Sequence, residues 1–117
     1  MGKNPAFQFY PNDWVRDMTE HPLEIQGAWM LILCKLHWSE TRGQKTLKLC
    51  QWSKVLSVKE DRAADLLCYI KASSLGQVLG HIRRHNANIT VISRRMIKDD
   101  KAREQNKLRQ RRYREKA

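Results

Sequence analysis

A chain of 117 residues with 41% hydrophobic content holds one domain with one modest core, and no run in it approaches the roughly 18 to 20 apolar residues of a membrane span. The opening residues Met1 to Ala6 have neither the apolar stretch of a secretory signal nor the Ser or Thr of a myristoylation site, so a cytoplasmic protein is expected. Lys and Arg number 23 against 12 Asp and Glu, a formal net charge of +11, which favours a polyanionic partner.

From Phe7 to Arg16 the chain is rich in aromatics and contains Pro11. It reads as an extended arm that docks Phe7, Phe9, Tyr10 and Trp14 on the core, because four large rings left in water are costly. Base stacking by the same rings, as on single-strand platforms, is the alternative. Pro22 suits the first turn of a helix. Leu23 to His37 follows as that helix, with Ile25, Ala28, Trp29, Ile32, Leu33 and Leu36 recurring on one apolar face. Gly27 inside this pattern points to a close helix contact, since Gly costs about 1 kcal/mol relative to Ala there.

Lys45-Thr46-Leu47 is a strand candidate, and Leu49 to Leu56 a short helix with Leu49, Trp52, Val55 and Leu56 inward. Ser57-Val58-Lys59-Glu60 has the pattern of a capping box. It predicts a helix from Val58 to about Lys71, with Ala63, Leu66, Leu67 and Ile70 as its core stripe. Ser73, Ser74 and Gly76 end it. Two β-prone runs, Val78 to Arg84 and Ile89 to Arg94, flank the turn His85-Asn86-Ala87-Asn88. Pairing Arg84 with Ile89 sets Ile82 opposite Val91, facing inward, and turns His81 and Arg83 outward. Met96 to Ala117 lacks Gly and Pro and reads as a basic helix. Its apolar residues (Met96, Ile97, Ala102, Leu108, Tyr113) suffice to dock only the first turns.

The order helix, strand, helix, helix, hairpin, tail helix is that of an α+β, mostly α, winged helix. The two middle helices would form a helix-turn-helix and the hairpin the wing. Residues 1–95 are expected to form this domain with its N-terminal arm, and 96–117 the basic tail.

Catalytic chemistry finds little support. Cys34, Cys50 and Cys68 form no C-x-x-C, sit among apolar neighbours, and read as reduced core thiols. His81 and His85 are four apart, but in strand and turn they share no helix face, so no metal is expected. The five glycines are scattered and form no phosphate loop. Neither an enzyme nor a cofactor is expected.

Charge is concentrated toward the end: from Arg94 onward there are eleven Lys and Arg against four Asp and Glu. The candidate phosphate contacts begin with Lys45, Lys48 and Lys54 around the 49–56 helix, Lys59 and Arg62 on the 58–71 helix, and Arg83 and Arg84 beside His85 and Asn86 at the hairpin. In the tail they are Arg94, Arg95, Lys98, Arg103, Lys107, Arg109, Arg111, Arg112 and Arg114. The 58–71 helix is itself near neutral, with Asp61 and Asp65 on one exposed face. It either reads bases through Lys59 and Arg62 with Gln51, or forms a protein-contact face.

The arm Phe9-Tyr-Pro-Asn-Asp-Trp-Val-Arg-Asp17, the Gly27-Ala-Trp29 entry and Leu33-x-x-Leu36-x-Trp38 resemble an uncharacterised domain family found in phages and prophages. Ser93-Arg-Arg-Met96 and Leu108-Arg-Gln-Arg-Arg-Tyr113 are similar to it as well. Thr19-Glu-His-Pro22 departs from that family's Ser-capped helix entry. The family resembles the winged-helix domains of replication-initiation and replisome-organiser proteins. The resemblance implies DNA binding in phage or prophage replication. Duplex DNA is the expected target, with a homo-oligomer and replication proteins as further partners. A protein–protein assembly module of a replication or regulatory complex is the alternative, and single-strand or RNA binding a third reading.

Overall fold

The computed structural model describes residues 9–84 and 86–116. Its elements in chain order are α1 (Pro11–Met18), α2 (Leu23–His37), β1 (Gln44–Lys48), α3 (Leu49–Leu56), α4 (Glu60–Ala72), β2 (Gln77–Leu79), β3 (Asn88–Ile92) and α5 (Arg94–Lys116). The protein is α+β and mostly helical, with one three-stranded antiparallel sheet in the order β1-β3-β2. No helix among the described residues is long and apolar enough to cross a membrane.

The expected extended arm is instead largely helical. Tyr10 is extended, and Pro11 opens α1 at its first position, where a missing N–H costs nothing and φ is already helical. Trp14 N–H closes the first turn on the Tyr10 carbonyl at 2.9 Å, and Met18 is buried one turn further on. Phe9 packs on Trp14 with ring centroids 5.5 Å apart. Phe7 lies outside the described residues.

α2 matches its expected span and buries Ile25, Ala28, Trp29, Ile32 and Leu36. Gly27 makes no close contact, however: an added Cβ there meets nothing within 4 Å. Gly43, at φ +96°, carries the chain from α2 into β1. Its N–H donates to the Leu36 carbonyl, and its carbonyl accepts the Ser93 N–H at 2.7 Å, which ties the root of α5 to the end of α2.

Ser57 does not cap α4. It ends α3 in the left-handed region (φ 57°), with Val58 N–H donating to the Ser53 carbonyl at 3.0 Å and Ser57 N–H to the Lys54 carbonyl. This is a Schellman closure. α4 therefore starts at Glu60, two residues later than the capping-box pattern predicts, and buries Ala63, Leu66, Leu67 and Ile70 as expected.

In the sheet, Val78 lies opposite Val91, a register four residues from the expected Ile82–Val91 pair. Gly80 (φ +113°) approaches the Asn88 carbonyl too closely for a side chain and ends β2 early. Ile82 is buried all the same, as the anchor of the 80–87 connection. β3 is central: its Ile89 and Val91 are fully buried, and Ile89 lies opposite Leu47 of β1. Trp52 of α3 is wholly buried, and its Nε1–H donates to the Ile89 carbonyl at 3.0 Å. α2, α3 and α4 pack on one another and close the core over this face of the sheet.

Candidate nucleic-acid interface

α5 has two halves of different character. Ser93, itself buried, accepts the Met96 N–H through Oγ, an N-cap bond. Met96 is buried and Ile97 packs on Gly43. Arg42 pairs with Asp100 at 3.2 Å, while Arg95 pairs with Asp13 and lies 4.4 Å over the Tyr10 ring. These contacts hold residues 94–103 to α1 and to the turn before β1.

From Glu104 to Glu115 every residue is exposed. This part of α5 stands clear of the body. The radius of gyration is 16.5 Å and the long dimension 58 Å, whereas a compact chain of this size has a radius of about 13 Å. Its bases face one another at helical spacing: Lys107 with Arg111, Arg109 with Arg112, Arg111 with Arg114. Each such like-charge pair destabilises an isolated helix by about 0.2–0.5 kcal/mol. Among the described residues none of Lys107, Arg109, Arg111, Arg112 and Arg114 forms an ion pair.

The body treats its expected phosphate contacts differently. Arg62 pairs with Glu24, and Arg83 pairs with Asp65 at 2.6 Å. Asp65 raises the Arg83 pKa, chiefly through that hydrogen bond. Arg94 donates to the Ser74 carbonyl at 3.1 Å. Arg103 is half-buried at a cleft of about 320 Å³ between α1, α2 and α5, with Nη1 inside the protein. Lys45 is half-buried on β1. Lys48, Lys54, Lys59, Arg84 and Lys98 are exposed and in no ion pair among the described residues. His85 lies outside the described residues. Lys101, exposed on α5 one turn after Lys98, was not singled out from sequence although the same charge run contains it.

On α4 the exposed residues include Asp61 and Asp65, and its one arginine is held by Glu24. Cys34 and Cys50 are exposed and Cys68 half-buried, so the expectation of three core thiols fails. Leu36, Trp52, Leu67 and Ile70 near them are buried, but 100° per residue turns Cys34 away from the core. Comparisons with protein-family models, curated proteins and solved structures find no match to this chain.

Proposed function

We propose that this protein is a winged-helix module that grips duplex DNA by its phosphates, with little reading of base sequence. The observation that carries this is the second half of α5. It buries nothing, repels itself, and presents five bases between residues 107 and 114 with no acid among them. A polyanion relieves that repulsion, and counterion release supplies the driving force. The winged-helix assignment is supported by the order helix, strand, helix, helix, strand, strand and by the β1-β3-β2 sheet, with 80–87 as the wing.

Weak sequence reading follows from α4. The helix that would enter the major groove offers carboxylates, and its guanidinium is engaged within the protein. Lys48, Lys54, Lys59 and Arg84 are suited to phosphate contacts from the body. A role in phage or prophage replication is supported by the resemblance of the arm and of the Gly27-Ala-Trp29 entry.

The test is a shift assay of the full chain on duplex DNA, single strands and RNA at two salt concentrations, with an unrelated duplex as competitor. The expected result is tight, salt-sensitive binding to duplex that the competitor displaces nearly as well as the original sequence. Tighter binding to single strands or RNA than to duplex would overturn the proposal.

A further inference from the structure

The outward side of α2 is apolar. Leu23, Gly27, Leu31, Cys34 and Trp38 follow one another at spacings of four, four, three and four, so they form one stripe along the helix. All five are exposed, Leu23 at 83%, Leu31 at 45% and Trp38 at 69%. Gly27 leaves the stripe flat near its middle, with open space where a side chain would stand. By contrast, the exposed residues of α4 include Glu60, Asp61, Arg62, Asp65 and Lys71. Two charges border the α2 stripe on the same side, Glu24 near its start and Lys35 near its end, both exposed.

We propose that this stripe is a homodimer surface, on which a second copy of the chain lays its own α2 antiparallel across a two-fold axis. The stripe is complementary to itself in that sense only. Centred between residues 30 and 31, the pair sets Leu23 against Trp38 of the other copy, Gly27 against Cys34, and the two Leu31 side chains together at the axis. Glu24 then comes alongside Lys35 of the other copy at both ends. A parallel pair would instead put Glu24 and Lys35 on opposite edges of the interface from those of the other copy, and neither ion pair would form. The Glu24 carboxylate also takes Arg62, and it has acceptor positions to share.

Gly27 opposite a cysteine lets the helices approach to about 8–9 Å. The stripe is about 22 Å long and supplies on the order of half the roughly 800 Å² per partner of a standard interface. The dimer is therefore weak and concentration-dependent. None of this rests on nucleic-acid binding.

Sedimentation of the full chain without nucleic acid, from low to high micromolar concentration, tests the proposal. The wild type is expected to pass from monomer to dimer. Leu31→Glu places two carboxylates at the axis and should weaken association more than about tenfold, with the unfolding midpoint of the dilute protein unchanged. Oxidative cross-linking in a Cys50→Ser, Cys68→Ala background tests the geometry. Adding Gly27→Cys should give a 27–34 bridge between copies. Cys34 alone should give none, because the antiparallel register separates the two by about 10 Å along the axis, beyond the roughly 7 Å Cα reach of a disulfide. A wild type that stays monomeric, a Leu31→Glu variant that dimerises as before, or a bridge between two Cys34 residues overturns the proposal.

Discussion

Truncation before Glu104 separates the grip of α5 from the stability of the body. The deleted residues hold six Lys and Arg and two Glu, a net charge of +4. The anchors of α5 all precede the cut: Met96, the Arg42–Asp100 pair and the Arg95–Asp13 pair. With about 0.9 of a counterion released per phosphate neutralised, four net contacts contribute about 3.6 to the slope of log affinity against log salt. Raising salt fourfold should therefore cost the intact chain about 150-fold more affinity than the truncated one. Fluorescence anisotropy of a labelled duplex across a salt series reads both slopes, and the unfolding midpoint of the truncated chain checks the body. Intact chain should also gain helical circular dichroism on adding duplex, because an unpacked segment of about 13 residues is marginal alone. A truncated chain that keeps the full slope would refute the assignment of phosphate contacts to α5.

Three further predictions concern the packing of the body. An added Cβ at Gly76 runs into Cη2 of buried Trp29 and stands 3.2 Å from the Ile92 carbonyl oxygen. Gly76→Ala should cost about 1–3 kcal/mol in urea unfolding, and much less when Trp29→Phe has already removed the outer ring; strictly additive costs would exclude the clash. Ser57→Gly relieves a left-handed backbone (φ 57°) at the end of α3; a gain of about 0.5–1 kcal/mol is expected, and a loss would show that the Ser57 side chain contributes to the turn. His37 is buried, and that burial, then the nearby Arg42 and Arg103 guanidiniums, hold its pKa below the ordinary value. The unfolded chain takes up this proton as pH falls through about 6.5 while the folded chain resists. The His37 contribution is thus complete above that pH and lost on acidification, and His37→Gln should flatten the fall in denaturation midpoint.

Sequence patterning defined those elements whose burial is periodic. The stripes of α2, α3 and α4 follow from spacing alone, because each helix meets the core on one side. What failed was local sequence compatible with two geometries. Ser57-x-x-Glu60 fits a capping box, yet the chain uses Ser57 to end the previous helix, a choice fixed by where Trp52 and Leu56 must sit. Pro11 among aromatic residues suggests an extended arm until it is read as the first residue of a helix with Asp13 in its first turn. The hairpin register turned on Gly80, whose approach to Asn88 is a tertiary fact. Within the site, the charge run of α5 is plain in the sequence. The pairing of Arg83 with Asp65 and of Arg95 with Asp13 is not, since the partners lie 18 and 82 residues apart.

The two proposals fall on separate surfaces, and they are coupled only through stoichiometry. α2 presents its stripe with one base beside it, while the free half of α5 has bases and only two large apolar residues, Leu108 and Tyr113. A dimer joined at α2 brings two such helices to one duplex, so its binding event counts the tails twice. The tail contribution to the salt slope should then be about 7 for the wild type at dimer-forming concentration. Leu31→Glu, which leaves every base in place, should return it to about 3.6 per chain, with binding still to duplex. Truncation before Glu104 should do the reverse, abolishing the tail slope while the protein sediments as a dimer as before. A Leu31→Glu variant that dissociates into monomers yet keeps the doubled slope would show that two tails already meet one duplex without α2 contact.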